Sequence, residues 1–256
     1  MPIDYVRRLT GRQRTTVSNR HLGFVLAFVA GAVNAGGFLA VRQYTSHMTG
    51  IVSAMADNLV LGSYALVWAG AGALLSFLTG AACSAVMINH ARRRRMHSEY
   101  ALPLLVEAFL LLCFGVLGAW LSSLDGPFVP VTVVLLCFVM GLQNAVITKI
   151  SRAEIRTTHI TGIVTDIGIE LGKLFYWNAA GAPQQHRVRA DRDRLRMLCL
   201  LAAFFFCGGV AGALGFKHVG YLSTLPLAVA LIALAGVPAI DDLIVLSRRR
   251  AGKGPV

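Results

Sequence analysis

Charge is scarce in this chain. Only 14% of its 256 residues are Asp, Glu, Lys or Arg, where a soluble domain carries about a quarter. That shortage, beside 56% hydrophobic residues and 26 glycines, excludes an ordinary soluble globule and places the chain in the membrane class. Cysteine is also sparse. Cys83, Cys113, Cys137, Cys199 and Cys207 lie inside apolar runs without CxxC spacing, so they read as small packing residues and not as a disulfide or zinc framework. With no Cys/His cluster, no phosphate-binding loop and no Ser-His-Asp order, no metal, no cofactor and no catalytic residue is assigned. A cleavable signal peptide is not expected either. Basic residues fill the first twenty positions, and no small-residue cleavage site follows a short apolar core.

The charge that is present is mostly positive, 24 Lys and Arg against 12 Asp and Glu. It gathers at Arg7–Arg20, Arg92–Arg95, Lys149–Arg156, Arg187–Arg196 and Arg248–Lys253, between apolar stretches. This is the distribution expected of cytoplasmic loops in an inner-membrane protein, and it speaks against nucleic acid as the partner.

A membrane-spanning helix needs about twenty apolar residues. Six stretches qualify: 22–41, 64–89, 102–122, 128–148, 197–216 and 221–246. Two others, 48–61 and 160–175, are shorter or more polar and carry Asp57, Asp166, Glu170 and Lys173. If the N-terminus is cytoplasmic, "ARRRRMH" must be cytoplasmic too, so 48–61 cannot cross between them. "KISRAEIR" and "HRVRADRDRLR" impose the same condition on 160–175. The expected fold is all-α and integral to the membrane, with six transmembrane helices, two re-entrant or non-crossing segments, and both termini cytoplasmic.

Both non-crossing segments open on nearly the same octet, "TSHMTGIV" (Thr45–Val52) and "TTHITGIV" (Thr157–Val164). "FVAGAVNA" (Phe28–Ala35) and "FVMGLQNA" (Phe138–Ala145) precede them in the same order. Phe77 and Gly80 have plausible counterparts in Phe205 and Gly208, and Leu102-Pro103-Leu104 recurs as Leu225-Pro226-Leu227. Three intervening crossings invert the second copy. The expected organisation is a basic N-terminus (1–21), a first repeat (22–122), an inverted second repeat (123–247) containing a cytoplasmic loop (176–196), and a basic tail (248–256). Inverted repeats are a common plan of transporters, with sites near the midplane at broken helices.

The order of "GAVNA", "TSHMTG", the arginine cluster, "GLQNA" and "TTHITGIV" resembles the YoaK-like, or DUF1275, family of bacterial membrane proteins, over about residues 20–247. The resemblance implies a polytopic inner-membrane protein and no particular biochemical activity.

The candidate site residues come from the sequence itself. A helix start has unpaired N–H groups, which Thr45, Ser46 or Thr49, and Thr157, Thr158 or Thr161, can cap. Gly50 and Gly162 leave room there for a ligand or a neighbouring helix. His47 and His159 can donate hydrogen bonds or carry protons, although packing alone also uses hydroxyls and small residues. Asn34 and Asn144 suit either a lining group or a clamp on free backbone. Glu107 stands inside an apolar span, where an ionisable residue usually faces a cavity or an ion route. Its alternatives are a neutral acid hydrogen-bonded to a neighbouring helix and an acid near enough to the interface to be hydrated. The expected solute or ion path comprises His47, His159, Thr49, Thr161, Asn34, Asn144 and Glu107, with Asp57, Asp166 and Glu170 secondary. The loop Ala182–Arg196 and the basic tail read as solvated, with binding of anionic lipid headgroups second.

The leading expectation is a channel or secondary transporter of a small solute, with its site between the two THxTG segments, which meet near the midplane. The alternative is a membrane-embedded enzyme, or a non-transporting regulatory protein, acting on a lipid-soluble ligand. Expected partners are membrane lipids and a small solute or ion. A homo-oligomer is left open.

Overall fold

The computed structural model describes residues 16–94, 96, 98–121, 128–150, 158–178 and 187–250. The described residues form eight α-helices: α1 (Thr16–Val41), α2 (Met48–Val60), α3 (Tyr64–Arg93), α4 (Ala101–Leu121), α5 (Phe128–Ile150), α6 (Ile160–Phe175), α7 (Arg192–Val219) and α8 (Leu225–Arg250). A 3-10 turn, Gly220–Thr224, joins the last two. A chain in lipid must satisfy every backbone group internally, and helices do so within one segment. Pro103 and Pro226 fall in the first turns of α4 and α8, where the absent N–H costs nothing. Gly220 ends α7 at φ +70°, a conformation glycine adopts without strain.

Among the described residues, four stretches are long and apolar enough to cross a membrane: Val17–Val41, Tyr64–Arg93, Val131–Ile150 and Arg192–Asp242. The last runs through α7, the 3-10 turn and most of α8, and Ala101–Val116 of α4 is a shorter apolar helix. The protein is therefore an all-helical integral membrane protein. The helix bounds lie within a few residues of the stretches expected from hydropathy, and both histidine-motif segments are helical.

The packing is between the two halves of the chain more than within them. α1 lies chiefly on α7, α3 on α5, and α4 on α8, while the short helices α2 and α6 rest on α3 and α7. Glycines permit the two closest crossings. A methyl group on Gly31 would lie 2.0 Å from the Phe205 carbonyl oxygen, and one on Gly208 would lie 2.0 Å from that of Phe28. At the other crossing, Gly141 meets Phe77 at 2.0 Å and Gly80 meets Phe138 at 2.1 Å in the same way. Small residues let membrane helices approach backbone to backbone, where dispersion and not water exclusion holds them.

One corner is held by polar contacts. The buried carboxylate of Asp242 on α8 accepts from the Ser98 backbone N–H at 2.8 Å and from the Ser98 hydroxyl. Beside it, Arg92 Nε donates to Glu99 at 2.7 Å and Arg92 Nη2 to the Tyr100 hydroxyl at 2.7 Å. These bonds fix the turn between α3 and α4 against the end of α8.

Candidate functional site

Each asparagine holds the start of the histidine motif in its own half. Asn34 Oδ1 accepts from the Ser46 N–H at 3.2 Å and from the Ser46 hydroxyl at 2.8 Å. Asn144 Oδ1 accepts from the Thr158 hydroxyl at 2.6 Å, while its amide nitrogen donates to the Met140 carbonyl at 2.8 Å. Asn34 thus holds one backbone N–H of its motif, whereas Asn144 reaches its motif through a side-chain hydroxyl. Asn34 stands seven residues before Val41, about 10 Å of helix rise. The chain therefore leaves α1 and folds back before α2 begins. Met55 of α2 then lies against Gly70 of α3.

None of the described hydroxyls caps a motif helix. The N-cap residues are His47 (φ −92°, ψ 69°) and His159 (φ −86°, ψ 59°), and neither makes a side-chain capping bond. Ser46 and Thr158 are engaged with the asparagines, and Thr45 is fully buried with no partner for its hydroxyl. Thr157 falls outside the described residues. Thr49 and Thr161 are exposed. The glycines have a purpose other than the one expected for them. A methyl on Gly50 would sit 2.1 Å from His47 Cδ2, and one on Gly162 would sit 2.2 Å from His159 Nδ1. The space left by each glycine is filled by the histidine ring of its own motif, which packs back across the first turn.

The two motifs are not brought together in the described packing. α2 rests mainly on α3 and α6 mainly on α7. Beside the first motif is an open groove of about 360 Å³, lined by Phe38, the Arg42–Tyr44 turn, His47, one face of α2 and the start of α3. All of its walls belong to the first half. Arg42 lies there with φ +58°, a backbone region uncommon for a residue with a side chain.

Glu107 is fully buried, and neither of its carboxyl oxygens has a hydrogen-bond partner. It shares a helical face with Leu104 and Leu111, and the Leu111 carbonyl accepts from Thr224, so that face meets the 3-10 turn and α8. The expected alternative of an acid bonded to a neighbouring helix is absent from the described contacts. Two buried polar groups not foreseen from sequence share its condition: Ser84 on α3 and Gln143 on α5, the latter with both amide atoms unpartnered. Gln143 carried a legible signal, since the matching position in "GAVNA" is the apolar Val33. Arg42 did too, because Arg152 stands eight residues after Asn144 as Arg42 does after Asn34. Arg152 itself lies outside the described residues.

The secondary carboxylates divide. Asp57 is exposed on α2. Asp166 pairs with Arg194 at 3.1 Å. Glu170 is buried, accepting from Lys173 Nζ at 2.8 Å and from the Asp191 N–H at 2.8 Å. The Lys173 bond first, and the Asp191 N–H second, hold its carboxyl below the usual carboxylate range. These bonds tie α6 to the start of α7. Asp191 in turn caps α7 by accepting from the Arg194 N–H at 2.9 Å. Among the described residues, no three His, Cys, Asp or Glu side chains cluster as a metal site would require.

An all-helical membrane bundle with paired, asparagine-held histidine motifs defines the class. The chain matches the family described as "Protein of unknown function (DUF1275)" over residues 22–237 and belongs to that family. It is similar to the UPF0700 transmembrane protein YoaK of Bacillus subtilis (strain 168), with 27% identity over 156 residues, 59% of this chain and 67% of the relative. No solved structure matches it.

Proposed function

We propose that the protein is a channel or secondary transporter of a small solute, built from two inverted halves in the bacterial inner membrane. In this reading α1, α3, α4, α5, α7 and α8 cross, both termini are cytoplasmic, and α2 and α6 enter from opposite faces without crossing. The halves are residues 22–122 and 123–247. The observation that carries the reading is the repeated tether: Asn34 to Ser46 in one half and Asn144 to Thr158 in the other. The reciprocal glycine crossings, Gly31 with Phe205 and Gly141 with Phe77, support it, because a twofold operation exchanging the halves exchanges those pairs. His47 and His159, each at the start of a helix with free N–H groups, offer polar contacts to a solute on either side. Glu107 supplies a carboxyl group within the bundle that can take up and release a proton.

The topology is tested with a membrane-impermeant thiol reagent. Arg93→Cys and Ala190→Cys are expected to label from the cytoplasm and Gln43→Cys from outside. Labelling of position 190 from outside would remove the inversion. Function is tested by a solute-flux screen in liposomes. His47→Ala and His159→Ala are expected to reduce flux, and Glu107→Gln to abolish its pH dependence, with normal folding. Normal flux with a sharply lowered melting temperature would make these residues structural.

The groove favours a second reading. Its walls come from one half only, as suits a membrane-embedded enzyme or a regulatory protein that takes a lipid-soluble ligand. Binding without flux would select it.

A further inference from the structure

The groove beside α2 has a polarity that specifies a ligand. On the α2 side it is formed by His47, Ile51, Met55 and Asn58, successive positions of one helical face, with Phe38 and Leu66 contributing from α1 and α3. The apolar side chains give it an interior suited to a short hydrocarbon or an aromatic ring. Among the described residues its polar groups are Arg42, Gln43, Tyr44, His47 and Asn58, and no carboxylate lines it. Arg42 is the one permanent cation among its described lining residues, exposed and held at φ +58°. Sites held in uncommon backbone conformations cluster where a ligand is gripped. Asn58 anchors through its amide nitrogen to the Ala54 carbonyl at 2.7 Å, which leaves its side-chain oxygen as the second polar group of that wall. Asp57, the nearest acid in sequence, is not part of the lining.

From this arrangement we infer that the groove binds an amphipathic monoanion, its acid group on Arg42 and its apolar part along Ile51, Met55 and Leu66. A free carboxylate with a short apolar chain and the anionic headgroup of a membrane lipid share this chemistry. The volume of about 360 Å³ suits a small ligand or part of a larger one. The inference rests on the proposed function in either reading, naming the class of solute or ligand taken, and equilibrium binding separates it from transport. Hexanoate bound without being moved would remove transport and leave the groove. Flux of an unrelated solute, with no hexanoate bound, would do the reverse.

The experiment uses the full chain in phosphatidylcholine nanodiscs, with labelled hexanoate as probe and hexanol and hexylamine as competitors. Hexanoate is expected to bind saturably, and neither competitor to displace it at equal concentration. Losing a hydrogen-bonded charge partner typically weakens binding about tenfold or more, so Arg42→Gln is expected to show that loss and Arg42→Lys to retain most of the affinity. Asn58→Asp, a change on the surface of α2 that places a like charge in the groove, is expected to weaken binding similarly and serves if Arg42→Gln does not fold. Repeating the titration with phosphatidylglycerol in the nanodisc identifies the source. Undiminished binding means a soluble carboxylate, and its loss means that the lipid headgroup holds the groove. Either result bears out the inferred chemistry. Absence of saturable binding, equal displacement by hexanol, or unchanged affinity in folded Arg42→Gln and Asn58→Asp overturns it.

Discussion

The helices α2 and α6 begin alike and finish differently. Both start at a histidine whose ring covers a glycine three residues on, and both are tethered by a hydroxyl to an asparagine of the preceding helix. Beyond the first turn they diverge. α6 carries Asp166 and Glu170, which bind Arg194, Lys173 and the Asp191 N–H and so latch it to α7. α2 has Ala54 and Asn58 at the matching positions; the Asn58 side chain bonds the Ala54 carbonyl of its own helix, and the face beside it is an open groove. A duplicated motif thus preserves the way a helix is started, while the residues after it decide whether the helix is closed against a neighbour or left accessible.

The largest expected effect tests whether the halves are equivalent where they cross. Gly31→Leu and Gly141→Leu each drive a side chain into a carbonyl 2.0 Å from the first added carbon. Overpacking a tight contact costs about 1–3 kcal/mol and occasionally more, and here the obstacle is backbone that cannot rotate away. Both variants are expected to lose most of the folded protein in detergent, by size-exclusion profile and melting temperature. One tolerated and one lethal substitution would break the equivalence.

Next are the tethers. Asn34→Ala and Asn144→Ala remove hydrogen bonds worth about 0.5–1.5 kcal/mol each. Both should lower the melting temperature moderately and raise amide exchange at the start of α2 and α6 respectively. An effect on the opposite motif would contradict the local clamp.

The latch supplies a difference between the two helices that depends on pH. Glu170 has its carboxyl lowered in the folded protein, so its contribution is complete above the ordinary carboxylate range and is lost as pH falls through the lowered value. Amide exchange in α6 is expected to be slower than in α2 at neutral pH, with the difference shrinking below that range. Glu170→Gln should remove the pH dependence. An α6 that exchanges like α2 at neutral pH would show that the latch has no energetic weight.

The smallest effect is expected at the motif glycines. Gly50→Ala and Gly162→Ala meet a histidine ring, a side chain that can swing aside, so stability should change within about 0.5 kcal/mol, the range of surface substitutions. A drop well beyond that in melting temperature would mean that the ring is held in place.

The fold was largely legible because lipid makes strong demands. Hydropathy located the six long helices, and shorter apolar length with more polar residues marked 48–61 and 160–175 as distinct from them, since apolar length is a property of composition. The roles within the motif were less legible. "T-x-H-x-T-G" contains several capable caps, and nothing in the spacing says that the histidine backbone takes the cap position while the hydroxyl before it turns to an asparagine twelve residues upstream in one motif and fourteen in the other. Asp242 illustrates the same limit. Its partner Ser98 is 144 residues away, and no local pattern connects them.

The amino-acid sequence alone determined that this is a multi-pass helical membrane protein with a duplicated histidine motif. Segment-level properties carry that information, and each segment satisfies its own backbone in lipid. Tertiary structure decided which residues meet. It set Gly31 against Phe205, left Glu107 and Gln143 buried without partners, latched α6, and opened a groove under Arg42 beside α2. Those outcomes depend on which faces of distant helices are pressed together, and the order of residues along one helix does not specify its neighbour.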